Sequence, residues 1–404
     1  MKISFISINY NPELGGGAAK VVFNLANSLS DLGHEITVIT STNRKSEGVI
    51  YENGIKIVKL FPPNIYWIND KDRQPFYKKA LFQLIDLWNP LVKNKILKIL
   101  LSNPPEILHI HKLRGFSPSV WDAARKANTT KIIQSCHDFE LISPQGLLQG
   151  KIGEMAINRN FPINIYQKLR ANNSNNVTDA IAPSKIIMNK HLEFGFFLNS
   201  KKHVIPHSHG YSLRQLQINL QESKPVVEEP ILKVLFIGRL VEEKGIDILC
   251  KVVGELEHKG HKIFLDIIGS GQIEKSLNDK YFKSKQIQFY GSIFSENKTK
   301  ILAKCDILVV PSLVPESFGI VIVEAFAYGK PVICSKIGAL PEIVIDNFNG
   351  FLFEAGNQDQ LKSLLLNICY NKKLLTGMRE NCFSSAEGYC SDVILDKYLS
   401  VYEN

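Results

Sequence analysis

The run LVPESFGIVIVEAFAYGKPVI, residues 313–333, carries two glutamates, Glu316 and Glu324. Glu324 stands between Val323 and Ala325, in a stretch that is otherwise Ile, Val, Ala and Phe. A carboxylate in such apolar company costs several kcal/mol unless something pairs with it. Two partners fit the pattern. One is a set of sugar or ribose hydroxyls donating to the carboxylate, and the other is a cation in a buried ion pair. The run itself does not decide between them. Glu316 precedes the helical pattern, where the N–H groups of Ser317, Phe318 and Gly319 lack helical acceptors and form an anion site. Two carboxylates bracketing an anion site suit a polyhydroxylated diphosphate.

A second constellation is FIGRLVEEKGID, residues 236–247. Gly238 closes a strand pattern, Arg239 and Lys244 follow, and Gly245 precedes a helix. Arg grips a diphosphate bidentately and Lys acts as a point charge, although an Arg/Lys pair by itself is commonly solvated surface. A third is NPELGGGAAK, residues 11–20, in which Gly16 and Gly17 let backbone N–H groups approach a phosphate. This is neither GxGxxG nor GxxxxGK[ST], and the second strand ends VITST with no acid. A nicotinamide site is therefore not expected, and a plain tight turn is the alternative. His137, in CHDF, reads from sequence alone as a core histidine. Asp70–Asp72 (DKD) resembles a metal-binding pair of acids, but it follows no apolar strand and reads as surface. His207 and His209 lack a third ligand at metal spacing and read as a solvated linker.

Strands and helices must place these residues. Strand patterns fall at 2–8, 35–40, 107–111, 131–136, 179–184 and 203–206, with helices at 18–32 and 118–127. A polar stretch, 207–230, reads as a linker. Strands then resume at 231–238, 263–269, 287–291, 306–312, 330–335 and 350–354, with helices at 246–258 and 320–328. This alternation predicts an α/β fold of two doubly wound parallel-sheet, Rossmann-like domains facing across a cleft. The domains span 1–206 and 231–385, and 386–404 forms a further helix whose docking place the sequence does not reveal. Ligands of such sheets sit at the carboxyl ends of the strands.

Bulk properties narrow the class. With 404 residues, 45% hydrophobic and 22% charged, the chain suits a two-domain soluble protein. Its start does not read as a signal peptide, and no apolar run has the length of a membrane span. Seven scattered cysteines without a CxxC argue against both a disulfide framework and a zinc site. Residues 1–205 carry 26 Lys+Arg against 15 Asp+Glu, whereas 206–404 carry 22 against 24. The basic half suits an anionic membrane surface or an anionic substrate, or is simply a solubilising surface. The apolar, lysine-bearing stretch 76–101 either lies on a membrane interface or packs as domain helices on the sheet.

Together these motifs resemble the GT-B glycosyltransferases of glycosyltransferase family 4. The resemblance rests on E-SFGIVIV-E, GRL…EKG, DIIGSG, IQFYG and GKPVICSKIGALPEIVIDNFNGFLFE, which occur in the family's order over 231–355. It is weaker in the first half, through GGGAAK, CHDFELISP and IAPSK. Two departures stand out. Gly338-Ala339 replaces the family's frequent pair of glycines, and HSHGYS replaces its Asn-Gly after VIP.

The resemblance implies a retaining transferase that moves a sugar from a nucleoside-diphosphate sugar to a glycan or lipid-linked acceptor. Arg239 and Lys244 hold the donor diphosphate after Gly238, and Glu316 contacts the donor sugar together with the N–H groups of Phe318 and Gly319. Glu324 holds the ribose, Tyr290 lies near the base, Gly16 and Gly17 approach the phosphates, and His137 lies near the transferred sugar. The donor is a substrate, and neither a metal nor another cofactor is expected. The implied setting is cytoplasmic, at the inner face of the membrane, in surface polysaccharide synthesis, without a nucleic acid partner. Two rivals remain: a related nucleotide-sugar epimerase, which consumes donor without acceptor, and a non-catalytic nucleotide-sugar-binding scaffold subunit.

Overall fold

A computed structural model describes residues 1–10, 12–222, 231–293 and 295–404, without the side chains of 12–15, 72, 222 and 295. The chain forms two compact units, Met1–Pro206 with Leu395–Asn404, and His207–Ile394.

The first unit is built on eight strands: β1 (Lys2–Ser7), β2 (Glu35–Ser41), β3 (Gly48–Glu52), β4 (Ile55–Leu60), β5 (Ile107–Ile110), β6 (Lys131–Ser135), β7 (Asp179–Ala182) and β8 (Lys201–Val204). Their order is β3-β4-β2-β1-β5-β6-β7-β8. All pairings are parallel except β3 with β4. That antiparallel edge was not foreseen, although Asn53-Gly54 marks it. Both residues take the positive φ that a two-residue hairpin turn needs. The strands of the centre are almost wholly buried, as expected of a parallel sheet covered on both faces.

The second unit has β9 (Leu232–Ile237), β10 (Ile263–Ile268), β11 (Ile287–Phe289), β12 (Ile307–Val310), β13 (Val332–Ser335) and β14 (Gly350–Phe353). They are ordered β11-β10-β9-β12-β13-β14, all parallel. Winding reverses between β1 and β5 in the first sheet and between β9 and β12 in the second. Those are the positions where doubly wound sheets open a crevice at their strand ends.

Three expectations are corrected. The 207–230 stretch is not all linker. Leu213–Glu222 is a helix whose Leu216 packs in the second unit's core, because LRQLQINLQ repeats apolar residues at helical spacing. Its remainder, 223–230, lies outside the described residues. His207 and His209 are buried rather than solvated. The His207 ring meets Phe318 edge-on at 5.2 Å, and His209 Nε2 bonds the Ala386 carbonyl oxygen at 3.0 Å. Finally, the helix at the amino end spans Pro12–Asp31, not 18–32. Gly16 interrupts it at φ 67°, so the glycine stretch is a kink rather than an open loop.

The terminal segment also finds its place. Helices Lys373–Glu387 and Ser391–Glu403 follow one another, and the last ten residues belong to the first unit. There Tyr398 and Tyr402 are buried, and the Lys131 ammonium donates to the Val401 carbonyl. The 76–101 stretch forms helices Phe76–Asp86 and Pro90–Ser102, which turn Phe82, Asp86, Val92, Ile96 and Leu100 inward. Asp86 is held by Arg170 at 3.0 Å, both side chains being buried.

Candidate active site

In the second unit the chain leaves β9 through Gly238, whose carbonyl lies against Gly269. A Cβ on Gly269 would stand 1.8 Å from that oxygen, so the loops after β9 and β10 meet backbone to backbone. Arg239 follows, exposed, and its guanidinium has no side-chain partner among the described residues. A short turn, Glu242–Lys244, ends on Gly245 at φ 67°, where a Cβ would stand 1.9 Å from the Pro311 oxygen. Glycine at 245 therefore brings Lys244 up to the loop after β12. The Lys244 ammonium donates to Glu316 Oε1 at 2.5 Å, and the Ser312 hydroxyl donates to the same oxygen at 2.5 Å. Charge-assisted bonds of this kind fix both partners.

The other side of Glu316 is also held by backbone. The Ala339 N–H donates to the Glu316 carbonyl at 2.9 Å, and Gly338, at φ 59°, lies so close that a Cβ would stand 2.4 Å from the Glu316 nitrogen. This explains the departure at Gly338-Ala339. The first position requires glycine, and Ala339, at φ −80°, accommodates its methyl. Phe318 is buried beneath His207 and Tyr389. Gly319 at φ 129° opens the helix Ile320–Phe326, and neither the Phe318 nor the Gly319 N–H donates to another group among the described residues.

Glu324 is 5% exposed, and its Oε2 accepts from the Lys298 ammonium at 2.6 Å. Of the two partners the sequence left open, the cation is the one present, and Lys298 was not singled out beforehand. Its helix, Ser295–Lys304, offered a signal in the spacing of Lys298 and Leu302, which places both on the face turned towards the core. At the end of β11, half-exposed Tyr290 has its hydroxyl beside Asp266. Burial and that negative charge raise its pKa.

In the first unit Gly16 stands exposed beyond β1 with open space where a Cβ would sit, and Gly17 continues the helix. His137 follows β6, is 8% exposed, and pairs its Nε2 with His111 Nδ1 at 2.8 Å. The His111 ring lies tilted against that of His109, with ring centroids 4.1 Å apart. His109 in turn bonds Ser135 Oγ at 2.8 Å and Tyr402 Oη at 2.7 Å. Burial holds the His109 pKa well below the ordinary histidine value. His109 and His111 were read only as strand residues, although their spacing of two puts both on one face. Beside them Lys112 pairs with Asp138 and, at 3.5 Å, with Glu140. Lys112 and its neighbour Arg114 hold the Asp138 carboxyl below the usual carboxylate range, against the opposing effect of burial.

Among the described residues no group of histidine, cysteine, aspartate and glutamate side chains is arranged to hold a metal ion. Asp70 lies in the short turn Ile68–Arg73, and the Asp72 side chain is outside the described residues.

Each of the two sheets carries charged or imidazole side chains at the strand ends beside its switch point, and the comparisons with known proteins give the family. Residues 15–208 match the family Glycosyltransferase Family 4, and 218–384 match Glycosyl transferases group 1. An uncharacterized 42.6 kDa protein in the cps region of Klebsiella pneumoniae is 30% identical over 85% of this chain and 87% of its own. The phosphatidyl-myo-inositol mannosyltransferase of Mycolicibacterium smegmatis is 22% identical over 98% of this chain and 92% of its own. Anabaena Alr3699/HepE, solved with UDP and glucose, superposes with a TM-score of 0.69 at 19% identity, over 100% of both chains. The chain belongs to the GT-B glycosyltransferases of the family 4 type and is a transferase enzyme.

Proposed function

We propose that the protein transfers a sugar, with retention of configuration and without a metal, from a nucleoside-diphosphate sugar to a glycan or lipid-linked acceptor in bacterial surface polysaccharide synthesis. The observation that carries this reading is the meeting of Lys244, Glu316 and Ser312 beside Arg239 at the β9/β12 switch point. In the reading, Arg239 and Lys244 neutralise the charge that grows on the departing diphosphate, aided by the Phe318 and Gly319 N–H groups. That electrostatic help is the main catalytic device. Glu316 accepts from hydroxyls of the donor sugar, Glu324 from the ribose, and Tyr290 lies by the base. His137 lies near the transferred sugar. The relative whose structure holds UDP and glucose supports a nucleoside-diphosphate donor, and the relative in a cps region supports the polysaccharide setting.

A membrane-side acceptor has support of its own. The helix Phe76–Asp86 turns Tyr77, Leu81 and Leu84 outward on one face, all exposed, with Lys78 beside them, and exposed Trp88 follows the helix. Aromatic, aliphatic and lysine side chains on one outward face suit the headgroup level of an anionic bilayer. The named mannosyltransferase relative acts on a phosphatidyl-inositol, which fits a lipid-linked acceptor. No helix among the described residues is long and apolar enough to cross a membrane, so contact in this reading is peripheral, at the inner face.

The test is a panel of nucleotide sugars scored by thermal shift and then by turnover with lipid-linked glycans. A ligand at 100 times its dissociation constant adds about 2.7 kcal/mol of stability. Arg239→Ala and Lys244→Ala should each lower turnover by about 10²–10³, the loss typical of one charge-stabilising group, with little change in melting temperature. Unchanged turnover in both variants removes the assignment. Donor consumed without any acceptor points to epimerisation instead.

A further inference from the structure

Glu324 is surrounded by Ile322, Val323, Ala325 and Phe326, all fully buried, yet its carboxylate is bonded to Lys298 at 2.6 Å. Stability alone does not account for the pair, because buried ion pairs add little over a well-packed apolar pair of the same volume. Lys298 is held in place by its own helix. Leu302, one turn on, packs in the same cluster as Phe318, Ile322 and Phe326, and the neighbouring Thr299 interacts with the Tyr328 hydroxyl. The pair is also not sealed, since the Lys298 side chain remains 22% exposed while that of Glu324 is 7% exposed. Lys298 stands in the first turn of the helix that follows β11, and Glu324 in the helix that follows β12, so both lie towards the strand ends that carry Tyr290 and Glu316.

We propose that Lys298 is a positioning residue for the donor. Its ammonium fixes the rotamer of Glu324, so that the carboxylate is already turned to accept from both ribose hydroxyls when the nucleotide arrives. This rests on the reading of Glu324 as the ribose acceptor. Lys298 itself touches neither the phosphates nor the ribose. A carboxylate fixed beforehand loses less freedom on binding, and the gain appears only with ligands that have hydroxyls to offer. An ion pair that merely stabilised the fold would affect all ligands alike.

Dissociation constants of UDP and 2′,3′-dideoxy-UDP, with the GDP and ADP pairs alongside, separate these cases. They are measured on the full chain by calorimetry for wild type, Lys298→Met, Lys298→Arg and Glu324→Gln. Wild type should prefer the ribose form of its nucleotide by about tenfold or more, the size of a lost charge-assisted hydrogen bond. Glu324→Gln should abolish most of that preference. Lys298→Met should also abolish it while leaving the affinity for the dideoxy form within about twofold, and Lys298→Arg should restore it. Retained dideoxy binding shows that Lys298→Met is folded. The proposal is overturned if Lys298→Met keeps the ribose preference, or if it weakens both forms equally, as a direct phosphate or base ligand would. If Lys298→Met loses all binding, Lys298→Arg decides: it must keep the preference for the proposal to stand. A Glu324→Gln variant that still prefers ribose removes the underlying reading of Glu324, and absence of binding by wild type removes both.

Discussion

The two switch points use opposite chemistry. In the second unit the strand ends carry fixed charges, Lys244 against Glu316 and Lys298 against Glu324, with Arg239 exposed beside them. In the first unit the equivalent strand ends carry imidazoles: His111 is bonded to His137 and stacked with it, and His109 lies tilted against His111. The charges of the first unit, Lys112, Arg114, Asp138 and Glu140, lie one to three residues further along and offset one another. Paired charges suit a ligand with its own phosphates and hydroxyls, which can replace one ion-pair partner by another. A chain of imidazoles suits proton positioning near a reacting hydroxyl. The same winding therefore yields an anion-holding end and a nearly neutral one, and the residues closing each strand make the difference.

The sharpest way to break this contrast is at His137. His137→Ala should lower kcat/KM by about 10², the range of a lost general acid–base or orienting group, while the dissociation constant of the free nucleoside diphosphate stays within about twofold. His111→Ala should follow the same split with a smaller loss, because His111 acts through its bond to His137. A variant that lost nucleotide affinity as well would show that the imidazole end holds the donor, and the division of labour would fall.

Acid should sharpen the same contrast. Burial holds His109 well below the ordinary histidine value, and pushes His191 and His207 down to about 4. Below about pH 6.5 the unfolded chain takes up protons that these folded sites refuse, so stability is full above that pH and is lost as pH falls. By pH 5 the loss is about 2 kcal/mol for each of His191 and His207. Two of the three histidines lie in the first unit. Asp86 of the same unit, pushed up to about 7 by burial, works in the opposite sense; in Asp86→Asn, hydrogen exchange at pH 5 relative to pH 7 should therefore show the first unit's sheet losing more protection than that of the second. Equal loss in both would mean that the imidazoles do not set the acid response.

The smallest effect concerns the outer surface of the first unit. Leu81→Glu together with Leu84→Glu should weaken co-sedimentation with anionic phospholipid vesicles about tenfold, from lost apolar area and added repulsion. Nucleotide affinity, which the proposed function assigns to the second unit, should not move. Unaltered vesicle binding would detach the membrane reading from the helix Phe76–Asp86.

Sequence patterning exposed the α/β alternation well because parallel strands buried on both faces read as short apolar runs, such as ILVV at Ile307–Val310. The motif around Glu316 was equally visible, since Gly245 and Gly338 mark positions where backbone meets backbone, and Gly319 takes a positive φ at the head of its helix. What stayed hidden depended on partners distant in sequence. Lys298 meets Glu324 across 26 residues, and His111 meets His137 across another 26. No local periodicity encodes either meeting. The ends of the 207–230 stretch misled for a different reason. Arg214, Gln215, Gln217 and Gln221 on the exposed face of Leu213–Glu222 gave a helix the composition of a linker.

The Tyr402 hydroxyl reaches His109 across 293 residues of chain. On the ribosome, the first unit is thus synthesised almost whole and then waits for the entire second unit before its final ten residues emerge. Until then the buried nitrogen of His109 lacks its hydroxyl, and Lys131 lacks the Val401 carbonyl. Maturation of the histidine end is consequently a late event: a chain cut short before Leu395 carries every residue of the charged end, and neither of the tyrosines that close the other.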